Sequence, residues 1–557
     1  MRMNTCERLV VSLIILLSTL YSSACAETAQ YRRLSVEAYR DKMKAGWIGQ
    51  IAGVAWGAPT EFKFSDQIIP VESVPQWRPE MINHAFAQDD LYVEMTFLRS
   101  MEEYGLDVDI RQAGIDFANS GYALWCANQA GRTNLRNGIA PPDSSHPRFN
   151  SRANDIDYQI EADFSGLIAP GMPNTVIKLG EKFGRLMNYG DGVYGGQFMG
   201  GMYAEAFFQD DPIKLIQAGL ACIPERSQYA EMVHDMLIWY RENPDDWQAT
   251  WRRAQSKYRE EPEYQKASNG GIDVKINGAY ILMGLLYGKG DLDRTIVISC
   301  RCGQDSDCNP SSSAGVLFTT LGFSKLPARF NTGLNEEAVF SHTAYNFPAL
   351  LDVCEKLARQ SLIKAGGRIE TADNGKEVFL IPVIAPQPSP LELTWHPGPS
   401  ANSRYTEQER ELITAGTLHS FQKFAPNWEI KDCGPDMDPG LKAELRGKKN
   451  VFLTHPLNRQ TGCTLWRTLE VPAEKKTVLN LVVGHHEQGD WVLLVKVNDR
   501  EILKKNVGRS TARDGWMTVQ VDLSKYAGQN ITLNLVNQPS GWAYEAAYWA
   551  KIDCHIH

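Results

Sequence analysis

The chain has 557 residues, with 57 Lys and Arg against 66 Asp and Glu and a formal net charge of −9. Such an acidic surface has no general attraction for nucleic acid or anionic lipid, so neither is expected as a partner. The length exceeds what one hydrophobic core usually supports and predicts about two to four domains.

At the N-terminus, Arg2 and Arg8 precede an apolar run from Leu9 to Leu20, and Ala24-Cys25-Ala26 supplies the small residues that suit a signal peptidase. Residues 1–26 are expected to be a signal peptide, which makes the mature protein secreted or periplasmic. The run is shorter than the ~20 apolar residues that span a bilayer, and no later stretch is longer, so no membrane span is expected. Cys25 offers a lipid attachment point, but Ser22-Ser23-Ala24 before it lacks the usual aliphatic residue. Of the eleven cysteines, Cys6 and Cys25 leave with the leader. The odd number that remains is too sparse for a disulfide scaffold and leaves room for one or two bridges that spacing alone does not pair.

From Ser35 to about Leu362 the pattern is helical. Ser35 can cap a helix in which Val36, Tyr39, Met43, Trp47, Ile51 and Val54 recur at helical spacing, while Gly46, Gly49, Gly53 and Gly57 form a second stripe. Each glycine costs a helix about 1 kcal/mol against alanine, so the stripe predicts close backbone approach to a neighbouring helix. A second helix is expected from Asp89-Asp90 through Leu91, Met95, Leu98 and Met101. A third should start after Asp307 and carry Ala314, Leu317, Phe318 and Leu321. Between them, Ile160 to Gly166 with Pro170 to Pro173 reads as a polar loop, and Gly190 to Gly196 offers close backbone approach; both suit either ordinary turns or the lining of a sugar pocket.

The proline-rich stretch Val383 to Pro390 ends the helical region and reads as a linker or a sheet edge. Beyond it Trp491–Val497, Trp516–Leu523, Asn530–Val536 and Ala543–Ile552 are strand-like, and Asn498-Asp499 forms a short turn. The expected organisation is a helical catalytic domain over 27–385 and an all-β sandwich of jelly-roll or galactose-binding type over 386–557, with a carbohydrate-binding role open to it. Trp542, Tyr544, Tyr548 and Trp549 can stack on sugar rings there, although alternation sends some of them into the core.

Two acidic pairs stand where irregular segments enter helices: Asp89-Asp90 after Gln88, and Asp305 and Asp307 in Gly303-Gln304-Asp305-Ser306-Asp307. Alone, each pair reads as helix capping. Together, if the helices lie side by side, they supply four hard oxygen ligands suited to Mg²⁺, Mn²⁺ or Ca²⁺. Cys300, Cys302 and Cys308 offer a competing thiolate zinc site, but their spacing is not that of a common zinc module.

The run Gly46 to Glu61, the Asp89-Asp90 pair and the Gly303 to Asp307 segment leading to a helix with Gly315 and Gly322 resemble, in order and spacing, the signature elements of the ADP-ribosylglycohydrolase family. The resemblance covers about residues 35–330. It implies an all-α domain with two divalent ions, usually Mg²⁺, held by Asp89, Asp90, Asp305 and Asp307, with Gln88 as a further oxygen donor. It also implies an acid/base role for Glu61 beside Asp90. Gln88 and Cys308 stand where the family has threonines, and a thiol is a poor Mg²⁺ ligand. Asp163, Glu161, Gly192 and Tyr194 are the candidates for gripping a sugar. The expected activity is metal-dependent hydrolysis of an N- or O-glycosidic, furanosyl-type bond in an extracytoplasmic glycan or glycoside. The alternatives are an ADP-ribosyl-protein hydrolase and a carbohydrate-binding protein with a degraded metal site.

Overall fold

The computed structural model describes residues 30–267, 271–413, 417–434 and 436–556; the expected signal peptide over 1–26 lies outside them. Strand β1 (Tyr31–Ser35) leads into helix α1 (Val36–Gly57), whose cap is Ser35: its Oγ accepts from the Ala38 N–H at 3.1 Å. The other helices that position the site are α2 (Asp89–Tyr104), α3 (Cys126–Arg136), α4 (Asp191–Ala206) and α5 (Cys308–Leu321). All three helices expected from the sequence form, with starts at the expected residues.

The glycine stripe of α1 faces α5, as its spacing predicted. A Cβ at Gly49 would lie 2.4 Å from the Ala314 carbonyl oxygen, at Gly53 2.3 Å from that of Pro310, and at Gly57 2.0 Å from that of Ser306. The two backbones therefore touch along their length, and the C-terminal end of α1 is delivered against the Asp305–Asp307 segment. Gly53→Ala is expected to cost about 3 kcal/mol or more, because the obstacle is backbone on both sides. Gly121→Ala, with nothing within 4 Å of the new carbon, should stay below about 1 kcal/mol; urea titrations of the two variants check the contrast.

The first half also contains a small antiparallel sheet that the helical pattern did not announce. Its order is β1-β3-β2, with β2 (Arg368–Thr371) and β3 (Glu377–Pro382), and Leu34 pairs with Phe379. The buried Phe379 and Ile381 seat it on the helical core.

Past Val383 the chain straps the bundle. Thr394 Oγ1 donates to the Tyr189 carbonyl at 3.1 Å, Asp143 accepts from the Ala401 and Ser403 N–H groups at 2.9 Å each, and Arg111 forks onto Glu409. The proline-rich stretch is thus the start of a packed strap, fastened by polar contacts from distant parts of the helical half.

The C-terminal half is a sandwich of two five-stranded antiparallel sheets. One is ordered β10-β9-β12-β7-β4 and the other β11-β8-β13-β6-β5, with β4 (Glu429–Lys431), β5 (Gly440–Leu445), β6 (Lys448–Thr454), β7 (Cys463–Glu470), β8 (Thr477–His485), β9 (Trp491–Val497), β10 (Arg500–Val507), β11 (Trp516–Asp522), β12 (Asn530–Gln538) and β13 (Ala547–Ile556). Leu465, Leu493 and Leu533 from the first sheet meet Leu481, Val483 and Trp549 from the second in one core. The Asn498-Asp499 turn has left-handed backbone at both residues (φ 47° and 63°), as a tight hairpin requires. The last strand begins four residues later than the sequence suggested.

Alternation sorts the four aromatics. Trp549 is in the core against Trp491, and Tyr548 lies in a smaller cluster with Val451 and Leu453. Trp542 and Tyr544 stand in the β12–β13 loop, edge-on to His455 and stacked on His486 respectively. No helix among the described residues is long and apolar enough to cross a membrane.

Candidate metal centre

The C-terminal end of α1 fixes Glu61. The Thr60 hydroxyl bonds the Gly57 carbonyl and the Ser306 hydroxyl, both at 2.9 Å, and the Phe62 N–H donates to the Gln304 carbonyl at 3.0 Å. Gly303 is left-handed (φ 87°), and a Cβ there would strike the Phe64 and Gln67 carbonyl oxygens at 2.5 and 2.6 Å. This laced loop brings Glu61 opposite Asp307.

Asp307 stands at the N-cap position of α5 without making a capping bond, and Asp305 precedes it by two residues; Asp89 and Asp90 open α2. The two pairs converge, although more than two hundred positions separate them in the chain. Burial, then Asp89 and Asp307 beside it, hold the Asp90 carboxyl well above the usual carboxylate range. Burial and Asp90 push Asp305 up to about 7; burial, Asp307 and Asp89 do the same to Glu61. Burial and Asp305 raise Asp307.

The donor set fits a hard cation. Neither carboxylate oxygen of Asp90, nor Oδ1 of Asp305, has a hydrogen-bond partner at normal distance, although all are buried. Only the Cys308 thiol lies near enough to favour the charged form of both. Ligand atoms of Asp305, Asp307 and Cys308 lie within 4.8 Å of one another. Buried, unpaired carboxylates are costly unless protonated or neutralised by positive charge, and oxygen-rich sites of this kind suit Mg²⁺, Mn²⁺ or Ca²⁺. The competing zinc triad does not assemble: Cys300 lies 3.4 Å from the Thr60 hydroxyl and Cys302 3.5 Å from the Met283 sulfur, while Cys308 joins the aspartates. Gln88 is the N-cap residue of α2, half-buried, and makes no capping bond.

Around this centre lies a second ring of buried acids. Asn128 donates to Glu161 Oε1, leaving Oε2 without a partner, and Glu161 is raised by burial and by Asp157, with Asp89 and Asp90 adding to the push. Asp163 accepts from the Tyr203 hydroxyl at 2.7 Å and is pushed up to about 8, chiefly by burial. The segment expected as a polar loop is therefore fully buried, folded into two short helices, Asp157–Ile160 and Asp163–Leu167.

Two expected sugar contacts are corrected. Gly192 and Tyr194 belong not to a turn but to the buried helix α4. A Cβ at Gly192 would lie 2.4 Å from the Ala153 carbonyl oxygen, so this glycine serves close packing. The Tyr194 hydroxyl donates to the Pro390 carbonyl at 3.0 Å and accepts from the Glu392 N–H at 2.8 Å, which commits it to holding the strap.

Sequence reasoning missed Glu94, Asp157 and Asn128. Glu94 accepts from Gln50 and, at 2.9 Å, from the Phe164 N–H; Asp157 accepts from the Ala127 and Asn128 N–H groups at the start of α3. Glu94 left a signal: it falls on the stripe of Leu91, Met95 and Leu98, where a charge is out of place unless partnered.

The model of a family described as ADP-ribosylglycohydrolase matches residues 35–366. Among solved structures, an ADP-ribosylglycohydrolase-related protein complex is similar over 58% of this chain and 100% of that chain, at 14% identity and a TM-score of 0.37. A family 35 carbohydrate binding module from an environmental isolate is similar over 23% of this chain and 89% of that one, at 18% identity and a TM-score of 0.18. The module of the same family from Paenibacillus barcinonensis is similar over 23% and 93%, at 13% identity and a TM-score of 0.18. No curated protein matches the chain.

Proposed function

The chain belongs to the ADP-ribosylglycohydrolase family, and from that premise we propose that its helical half is a metal-dependent hydrolase of a glycosidic bond in an extracytoplasmic glycan or glycoside. Family membership supports hydrolysis; substrate, metal and compartment are our reading. The observation that carries it is the meeting of Asp89 and Asp90 with Asp305 and Asp307 around buried, unpartnered oxygens.

In this reading Asp89, Asp90, Asp305 and Asp307 hold two Mg²⁺ ions, or Mn²⁺ or Ca²⁺ in their place, with Gln88 at the margin. Such ions supply Lewis acidity, which lowers the pKa of water and polarises sugar oxygens. Glu61, half-buried and opposite Asp307, is suited to take a proton from water or return one to the leaving group. Asp163 and Glu161, whose Oδ1 and Oε2 are buried without a hydrogen-bond partner, stand behind the centre and add to its negative charge; in this structure they are closed to a sugar. An oxocarbenium-like state beside this centre would be stabilised by its carboxylates.

A furanosyl bond is the family's implication; the apolar run at the N-terminus and the aromatic loop at Trp542 and Tyr544 favour an exported glycan over an ADP-ribosylated protein. The purified protein is to be incubated with ADP-ribosylated peptide and with furanoside oligosaccharides, with and without EDTA. Cleavage of a furanoside that EDTA abolishes is expected; release of ADP-ribose alone overturns the substrate preference. A second reading, a binding protein without catalysis, is favoured by one observation, the Cys308 thiol among the carboxylates where the family has a threonine. It predicts no turnover of either substrate class.

A further inference from the structure

Spacing leaves the cysteines unpaired, but the sandwich brings two together. Strand β4 runs antiparallel to β7 with Lys431 opposite Thr464, so Asp432 falls opposite Cys463 and Cys433 follows one residue beyond it. The left-handed backbone of Asp432 (φ 56°) ends the ladder there, and the half-buried Cys433 packs against the core that contains Cys463. On its other side Cys433 bridges Pro456, and the Gly434 N–H donates to the His455 carbonyl at 2.9 Å. After burial, the Cys433 thiol is the main influence that raises the Cys463 pKa.

Among the described residues the other cysteines offer no comparable pair. Cys300 and Cys302 neighbour each other, but two residues apart at one helix end their side chains do not face one another. Cys222 lies against its own helix at the Ala218 carbonyl, and Cys308 belongs to the acidic centre.

We infer that Cys433 and Cys463 are a redox-modification site, oxidised to a disulfide that closes the loop between β4 and β5 onto the sandwich. That loop carries Asp438, which pairs with Arg136 of α3 at 3.8 Å, and α3 is the helix whose first turn holds Asp157 and whose Asn128 holds Glu161. The bridge would thus brace the catalytic bundle through the domain contact. The oxidant is a small-molecule or protein disulfide. The half-buried Cys433, as thiolate, attacks one of its sulfurs and expels a thiol; Cys463 then attacks the mixed disulfide at the Cys433 sulfur and expels the second. Two protons and two electrons leave the pair and reduce one disulfide to two thiols.

The full chain is to be incubated with glutathione disulfide or with dithiothreitol, denatured, alkylated and mapped by mass spectrometry. A cross-linked peptide joining Cys433 to Cys463 is expected after oxidation, with the other cysteines alkylated. The oxidised form should melt roughly 5–10 °C higher than the reduced form, as closing a loop of about thirty residues implies. Cys433→Ser should abolish that difference. Alkylation of both Cys433 and Cys463 after oxidation, or a bridge from either to another cysteine, overturns the assignment. Neither result bears on the substrate, so failure here is distinguishable from failure of the hydrolase reading.

Discussion

Replacing Asp90 with asparagine is expected to stabilise the metal-free protein and abolish its chemistry. Asp90 is fully buried, its carboxylate oxygens have no hydrogen-bond partner at normal distance, and Asp89 and Asp307 push against its charge. A neutral amide of the same shape removes that repulsion, so the melting temperature at pH 8 without metal should rise. The same change removes an anionic ligand, so added Mg²⁺ should no longer stabilise the protein and hydrolysis should fall on the order of 10³-fold. Melting curves with and without Mg²⁺, together with initial rates, separate the two effects. A variant that is both less stable and still active would mean that Asp90 serves only as part of a helix start.

The second large effect is a stability that falls as pH rises. Asp305 and Glu61 are each pushed up to about 7, and Asp90 and Asp307 lie well above the usual range. In the unfolded chain these groups titrate near 4. Between about pH 4 and 7 the metal-free folded protein therefore binds more protons than the unfolded chain, and stability must fall across that window. The metal-free protein is expected to melt on the order of 5–10 °C lower at pH 8 than at pH 5.5. Saturating Mg²⁺ replaces the missing positive charge and should recover most of this loss at pH 8, with little gain at pH 5.5, where protons already occupy the carboxylates. Equal metal effects at the two pH values would contradict the assignment of these acids to a cation site.

The elements that could be read from the sequence were those whose signal is local. Ser35 before an apolar period announces a capped helix, and four glycines spaced along it announce a backbone partner even though α5 lies more than two hundred residues away. The paired aspartates are visible because each sits at a helix start. What remained hidden depends on distant partners. Nothing near Tyr31 says that its strand pairs with Pro382, and a glycine-rich run such as Gly190 to Gly196 looks the same whether it turns in water or packs within a helix. Residues 160–166 read as a loop because their polar side chains suggest solvent; Tyr203 and Asn128 give those groups partners inside the core. The strap over 383–405 was similarly masked, since prolines exclude helix but do not say what the extended chain will lie against.

Calorimetric titration of Mg²⁺ into the metal-stripped full chain at pH 7.5, set beside Asp305→Ala, tests the central claim most directly. Saturable uptake of divalent ions by the parent protein that vanishes in the variant is the predicted result. No uptake by the parent, or uptake undiminished in Asp305→Ala, would show that the converging aspartates do not hold metal.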